Sequence, residues 1–125
     1  MVKNICLTEA ENKLADLIWR EAPLTSPDLV AISKGELGWE KSTTYTILKK
    51  LCDKGVFKNE NASVSVVLTR QEQMSRQSHR YIDDTFGGSL PRFVASFISG
   101  GNLSSEEALE LRRLIDAHDG GDTNE

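Results

Sequence analysis

The chain is poor in the residues that build enzyme and metal sites. Its 125 residues include only two cysteines and two histidines. Cys6 and Cys52 stand far apart and outside any Cys-x-x-Cys motif, so they predict neither a disulfide framework nor a zinc site. His79 and His118 have no obvious nucleophile partner, and no Gly-rich phosphate loop occurs. The sequence therefore argues against an enzyme and predicts no cofactor and no metal.

Long apolar runs are missing too. No run of about 18 apolar residues occurs, and the first residues, Met-Val-Lys-Asn-Ile-Cys, lack the apolar segment of a signal peptide. We therefore expect no membrane insertion and a cytoplasmic location. The length suits one domain with a small core plus an appendage.

Charge is unevenly distributed. The net charge is -4. Residues 1–70 hold ten Lys/Arg and nine Asp/Glu, a net +1, whereas residues 71–125 hold five and ten, a net -5. The first part therefore has only a weak positive electrostatic field. If it binds nucleic acid, recognition must depend on base contacts and on the symmetry of a dimer more than on general electrostatic attraction.

Two helix starts are visible in the first part. Residues 8–11, Thr-Glu-Ala-Glu, form a capping box that should open a first helix, and Pro23 should end it. Ser26 and Pro27 predict an N-cap and a first-turn proline for a short second helix that ends near Gly35.

Residues 40–57 predict a two-faced third helix that leads into a strand. One stripe of that helix is formed by Thr44, Ile47, Leu48 and Leu51. Gly55 supplies a left-handed stop. The other side and its flanks carry hydroxyls and cations of the kind that reach base edges and phosphates in a major groove.

The predicted DNA contacts all come from this helix and the strand after it. For the groove we predict Lys41, Ser42, Thr43, Tyr45, Thr46 and Lys49, and for phosphates Lys50 and Lys58. The alternative is an ordinary amphipathic surface helix with solvated lysines. For Tyr45 in particular, packing against the helix flank is an equal alternative.

A hairpin follows the third helix. Residues 56–58 and 63–68 are rich in β-branched and aromatic residues, and residues 59–62, Asn-Glu-Asn-Ala, form a polar turn. Three helices and a two-stranded wing predict a mostly α fold with a small β-hairpin, a winged helix-turn-helix domain over residues 5–70. Glu60 at the wing tip would repel phosphate.

The remaining residues predict a helical linker and dimerisation domain over residues 71–117 and a disordered tail over 118–125. A polar helix over 71–86 ends at Gly87-Gly88, and a second capping box, Ser104 to Glu107, opens the last helix. Between and within these lie apolar residues at helical spacing, too many for about thirty residues to bury alone. They could pack on the winged helix, but we favour a second subunit, contacted through Leu90, Phe93, Val94, Phe97, Ile98, Leu111, Leu114 and Ile115.

From about Leu7 to Ile115 the chain resembles the penicillinase-repressor family of bacterial transcriptional repressors. The matching segments are residues 7–11, 16–19, 43–51, 54–55, 102–104, 106–107 and 110–111. The resemblance implies a homodimer clasped by its C-terminal helices, bound to palindromic double-stranded operator DNA with TACA/TGTA-like half-sites, and excluding RNA polymerase from a promoter.

The resemblance also implies how repression ends. The copper-responsive branch of the family uses Cys-x-Cys motifs near the C-terminus, and this chain has no cysteine after Cys52. In the β-lactam branch a membrane-bound metalloprotease sensor leads to cleavage at an Asn-Phe bond. Ser96-Phe97 is the matching, candidate cleavage position, with the phenylalanine kept and the asparagine replaced.

A winged helix that binds proteins instead of DNA is the main competing interpretation. The negative net charge suits it, whereas Lys41, Lys49 and Lys50 on one side argue against it. A ligand-sensing winged-helix regulator of another family is a further alternative.

Overall fold

The chain forms two compact units joined within one helix. The computed structural model describes residues 4–122, with side chains as far as residue 118. The first unit ends at Tyr81 and the second begins at Ile82. The elements are α1 (Glu9–Glu21), β1 (Leu24–Thr25), α2 (Ser26–Leu37), α3 (Lys41–Asp53), β2 (Phe57–Glu60), β3 (Ser63–Val66), α4 (Arg70–Phe86), α5 (Leu90–Ser99) and α6 (Ser105–Asp122). The predicted fold class is confirmed: a mostly helical chain with a small antiparallel sheet, two of whose three strands follow the third helix.

One small core holds the first unit together. α1, α3 and the sheet each bury apolar residues from one face, whereas α2 contributes Leu29 between the buried Ser26 and Ser33. The buried hydrophobic residues are Leu14, Ala15, Leu17, Ile18, Leu29, Leu48, Leu51, Val56, Phe57 and Val64. In the predicted stripe of α3, Thr44 is also buried and its hydroxyl donates to Ser33 Oγ at 2.8 Å, while Ile47 is only half-buried.

The predicted start of α1 is confirmed, but the two ends of α2 differ from the prediction. Thr8 and Glu11 form both hydrogen bonds of the capping box. The N-cap of α2 is Thr25, not Ser26: Thr25 Oγ1 accepts from the amide of Asp28. Ser26 is already helical and buried. The helix runs past Gly35 to Leu37, because the left-handed residue that ends it is Gly38, with φ 72°.

The sheet has three strands where the sequence predicted two. β1 pairs with β3 through Leu24–Val64 and Thr25–Ser63, and β2 pairs with β3 along its whole length. The predicted four-residue turn is also wrong, since residues 59 and 60 belong to β2 and only Asn61 and Ala62 turn the chain. Both have positive φ, 53° and 63°, as in the two-residue turns that match strand twist.

The second unit consists of the end of α4 and two capped helices. Gly87 and Gly88 end α4 with φ 59° and 83°, at the predicted break. Ser104 makes both bonds of the predicted capping box with Glu107. α6 continues through Asp122, so it includes part of the stretch 118–125 that the sequence predicts as a tail, and residues 123–125 lie outside those described. The domain limits 5–70, 71–117 and 118–125 stay a prediction.

None of the helices within residues 4–122 combines the length and hydropathy needed to cross a bilayer.

Candidate nucleic-acid interface

The outer face of α3 is open to solvent along its whole length. Its inner stripe is buried in the core, which leaves the other side of the helix free to contact a ligand. Ser42, Thr46 and Lys49 are exposed on that side, and Lys41, Thr43 and Lys50 are exposed on its flanks. The structure thus leaves six of the predicted contact residues of α3 open to solvent, and Lys58 lies exposed on β2.

Tyr45 is the member of the predicted set that also packs. It is half-buried beside the core, and its hydroxyl donates to Ser26 Oγ at 3.3 Å. The Lys41 Nζ atom lies 6.0 Å from the centre of its ring. Tyr45 therefore joins α3 to the first turn of α2, so its predicted groove contact has to coexist with a packing role.

Two of the predicted cations carry a carboxylate partner on their own element. Lys49 Nζ lies 3.2 Å from Asp53 Oδ2, and Lys58 Nζ lies 3.5 Å from Glu60 Oε1. All four side chains are more than half exposed. Exposed ion pairs of this kind contribute little stability, so both lysines can exchange a carboxylate for a phosphate at small cost.

A buried ion pair at the end of α3, which we call the reader helix, was not predicted from the sequence. Lys54, the C-cap of α3, donates from Nζ to Glu11 Oε1 at 2.5 Å and to the carbonyl of Cys6 at 2.8 Å. Burial raises the pKa of Glu11, but the hydrogen bonds from Lys54 and the Thr8 amide and the charges of Lys54 and Lys50 outweigh it. The pKa of Glu11 is therefore lowered from its ordinary 4.5. The two partners are 43 residues apart, and no local pattern indicates that they meet.

The first turns of α4 are part of the same polar network. Gln73, only 1 % exposed, donates from Nε2 to the carbonyl of Ile5 and to Gln77 Oε1, both at 2.9 Å. Gln77 Oε1 also accepts from the amide of Leu7 at 3.1 Å. The sequence predicted a polar connecting helix here, yet this glutamine is as buried as the core leucines.

Arg76 joins that network to the end of the reader helix. Its Nη2 atom donates to the carbonyl of Lys54 and to Gln73 Oε1, each at 2.7 Å. Burial lowers the pKa of Arg76. The guanidinium also lies beside Gly55, the left-handed residue that follows α3. Through Arg76, α4 is bonded directly to the C-cap of α3.

Trp19 fastens the junction of β3 and α4 to α1. Its Nε1 donates to the carbonyl of Leu68 at 2.9 Å, its ring centre lies 5.3 Å from that of Phe57, and the Arg70 guanidinium lies 4.9 Å over it. Arg70 also pairs with Asp16. Trp39, like Trp19, is half-buried against the core, so both tryptophans lie at its rim.

The second unit carries a large exposed apolar surface. Large side chains on α5 and α6 that stay open to solvent include Leu90, Phe97, Ile98, Leu111, Leu114 and Ile115. Phe97 is 61 % exposed and Ile115 is 63 % exposed. Phe93 and Val94 are half-buried, and the ring centres of Phe93 and Phe97 lie 6.3 Å apart.

An apolar groove of about 360 Å³ runs between α5 and α6. It brings together five of the predicted dimerisation residues and leaves Leu90, Leu114 and Ile115 outside its lining. Its walls are Phe93, Val94, Phe97, Ile98, Leu103 and Leu111, with Glu107 and Glu110 beside them. Ser96 and Phe97, the candidate cleavage position, are both exposed and both within α5.

In the part of the chain that the structure describes, no three His, Cys, Asp or Glu side chains gather as a metal site would need.

Known proteins match this chain over nearly its whole length. It is 22 % identical over 116 residues to the penicillinase repressor of Bacillus licheniformis, which covers 90 % of this chain and 91 % of that protein. It is 23 % identical over 115 residues to an uncharacterized 16.5 kDa protein in the ptsI 3' region of Latilactobacillus sakei, covering 89 % and 79 % of the two. The family model for the penicillinase repressor matches residues 7–117. With the winged-helix order of elements and the match across both units, the chain belongs to the penicillinase repressor family.

Proposed function

We propose that this chain is a transcriptional repressor that binds a palindromic operator as a homodimer. Its family is one of regulatory repressors and not of enzymes, which supports the general role. The single observation that carries the finer proposal is the division of α3, whose outer face offers hydroxyls and lysines while its inner face is buried. Acting on bacterial DNA, it would work in the cytoplasm and exclude RNA polymerase from a promoter.

The reading surface has two kinds of residue. Ser42, Thr43 and Thr46 are short hydroxyl side chains that suit base edges, whereas Lys49 and Lys50 are long enough to reach phosphates or guanines. Lys41 and Tyr45 stand at the start of the helix, the part of a recognition helix that usually enters the groove. Lys58 would contact phosphate from the wing, in competition with Glu60.

Dimerisation supplies affinity that one reader lacks. Specific sites are bound about 4 to 10 kcal/mol more tightly than non-specific DNA, and one winged helix offers few contacts. A second reader on the same dimer finds its half-site at high effective concentration, so affinity multiplies without a new contact. Pairing with a second chain would bury the exposed apolar residues of α5 and α6. Monomeric proteins rarely expose large apolar patches of this kind to solvent.

The test is selection of DNA by the whole chain. A random duplex pool is selected at low salt, and the enriched sequence is measured by mobility shift across a salt series, with heparin retention as a second readout. We expect a palindrome with TACA/TGTA-like halves and an affinity that falls steadily with salt. Absence of any enriched sequence at low salt would instead favour the winged-helix protein-interaction module.

Release by proteolysis is the finer proposal about induction. The Ser96-Phe97 bond lies in α5, among the apolar stripe formed by Leu90, Phe93, Val94, Phe97 and Ile98. A cut there would break the surface that is proposed to pair the two subunits. The partner would be a membrane-bound metalloprotease sensor that acts directly or through another protease. Cells that carry an inducer-activated sensor should show a shortened repressor as the promoter turns on, and an intact repressor during induction would refute this route.

A further inference from the structure

We infer that Gln73 and Arg76 are positioning residues for operator binding: they bond the helix that leads to the second unit to the end of the reader helix. α4 begins at Arg70 and ends at Phe86, so it crosses the boundary between the two units at residues 81 and 82. The inference rests on the proposed function, because it concerns how two paired readers meet two half-sites.

The first step is that the bond between α3 and α4 is direct. Arg76 Nη2 donates to the carbonyl of Lys54, one of the last carbonyls of α3, which helix geometry leaves without a partner inside the helix. The same guanidinium holds Gln73 Oε1 through Nε and Nη2. A rotation of α4 about its own axis would break the bond to Lys54, whereas the bonds between Gln73 and Arg76 would move with the helix because both residues lie on it.

The second step is that the network is closed on every side. Gln73 and Gln77 hold the carbonyl of Ile5 and the amide of Leu7, and Lys54 holds Glu11 and the carbonyl of Cys6. Within residues 4–118, whose side chains the structure describes, no buried side-chain nitrogen or oxygen lacks a hydrogen-bond partner. A fully satisfied buried network favours one geometry, since any shift leaves a polar group unpaired in low dielectric.

The third step is what this geometry does for a dimer. A packed apolar contact tolerates small slides, whereas hydrogen bonds lose most of their strength when their angles change. A polar junction at the start of α4 therefore holds the connecting helix at one orientation on the reader's own unit. The spacing of half-sites that a dimer accepts would then be narrow, and Gln73 and Arg76 would set it without touching DNA.

The experiment measures spacing selectivity with the full chain. The operator selected by the wild type is rebuilt with its central spacer shortened or lengthened by one base pair, which rotates one half-site by about 34°. Affinities for the three duplexes are measured for the wild type, Arg76→Ala and Gln73→Ala. Gln71→Ala, at an exposed position of the same helix, is the matched control.

We expect the wild type and Gln71→Ala to lose about tenfold or more in affinity for either altered spacer, and Arg76→Ala and Gln73→Ala to lose about threefold or less. Binding to a duplex with one half-site, measured on the same samples, should stay within about twofold for all four proteins. That readout separates positioning from damage to the fold, which would weaken half-site binding as well.

Equal spacing selectivity in all four proteins would overturn the inference while leaving the proposed function intact. Half-site binding that falls in parallel with full-site binding would overturn it as well, because the two residues would then be structural only. A wild type that selects no DNA sequence would overturn both proposals.

Discussion

The Glu11 carboxylate accepts hydrogen bonds from two parts of the chain. It accepts from the Thr8 amide inside the capping box of α1 and from Lys54, the C-cap of α3. A carboxylate in this position is buried, so its two partners must offset the free energy of removing it from water. Local helix capping and the long-range docking of α1 on α3 therefore depend on one side chain.

Replacement of Glu11 by glutamine should destabilise the first unit by about 2 to 3 kcal/mol. Loss of one partner of a buried ion pair costs about 3 to 5 kcal/mol, and Lys54 recovers part of this because it is not fully buried. Urea unfolding at pH 7 measures the change. Glu9→Gln, at an exposed position of the same helical turn, should change stability little, and a loss as large as that of Glu11→Gln would contradict the prediction.

The same pair predicts how stability depends on pH. Because the pKa of Glu11 in the folded chain lies below its ordinary 4.5, its contribution is present above the unfolded pKa and is lost as pH falls through the folded pKa. The difference in unfolding free energy between the wild type and Glu11→Gln should therefore shrink below about pH 4.5. A difference that stays constant from pH 7 to pH 3 would show that the charge is not responsible.

Substitutions at Thr46 and at Lys50 should affect DNA binding in different ways. Thr46→Ala should relax preference at one operator position by about 1 to 3 kcal/mol, because a base contact is lost. Lys50→Ala should weaken binding to all sequences alike and reduce the salt slope by about one. Mobility shifts on single-base operator variants over a salt series distinguish the two, and an unchanged salt slope in Lys50→Ala would exclude it as a phosphate contact.

At the scale of elements, the wing has a carboxylate where a DNA-binding wing gains from positive charge. Glu60 pairs with Lys58 on the same strand, and β2 is an edge strand of the sheet. The pair neutralises the one lysine of the wing and places a negative charge near the expected phosphates. The wing is therefore expected to contribute less than α3 to affinity.

Glu60→Gln should accordingly raise operator affinity by about two- to fivefold at low salt, with the gain disappearing as salt screens the charges. Glu36→Gln on α2 removes the same charge from the chain and serves as the control. An equal gain in both variants would mean that net charge, and not the wing, is responsible.

Local patterns predicted the elements well where the signal spans several residues. The capping box at Thr8, the stripe of α3 and the glycines after α4 each follow from spacing or backbone preference alone. The two-residue strand β1 has no such pattern, since it exists only because Leu24 and Thr25 pair with β3. The true end of α2 was missed because Gly35 and Gly38 look alike in sequence.

The residues of the candidate site were likewise predictable only in part. The exposed side of α3 followed from helical periodicity, and six of its predicted contacts are indeed exposed. Periodicity gave no signal for the network of Glu11, Lys54, Gln73 and Arg76. The sequence does not distinguish a buried glutamine from a solvated one. Gln73 differs from a solvated glutamine through its contact with Ile5, 68 residues away in the chain.

At the scale of the whole molecule, the surface expected to pair the subunits lies on the unit that carries none of the reading residues. The two proposed functions would thus be divided between residues before and after the boundary at 81 and 82. Damage to pairing should leave the reader folded and yet lower operator affinity, because the advantage of effective concentration is lost.

Phe97→Glu should convert the proposed dimer to monomers and lower operator affinity by about tenfold or more, while half-site binding stays within about twofold. A charge in an apolar interface must be buried unpaired, which opposes association. Sedimentation at matched concentrations measures the oligomeric state. Ala95→Glu, at an exposed position of α5 outside the set of predicted dimerisation residues, should remain dimeric. A Phe97→Glu protein that is still dimeric would place the interface elsewhere.

The two-sided construction of α3 also bears on how such repressors diversify. Thr44, Leu48 and Leu51 hold the helix in the core, whereas Ser42 and Thr46 hold nothing inside the fold. Substitutions on the outer side can therefore accumulate at little expense in stability, since surface changes usually alter it by less than about 0.5 kcal/mol. Gene duplication followed by drift at these few positions would give sister repressors with separate operators on an unchanged scaffold.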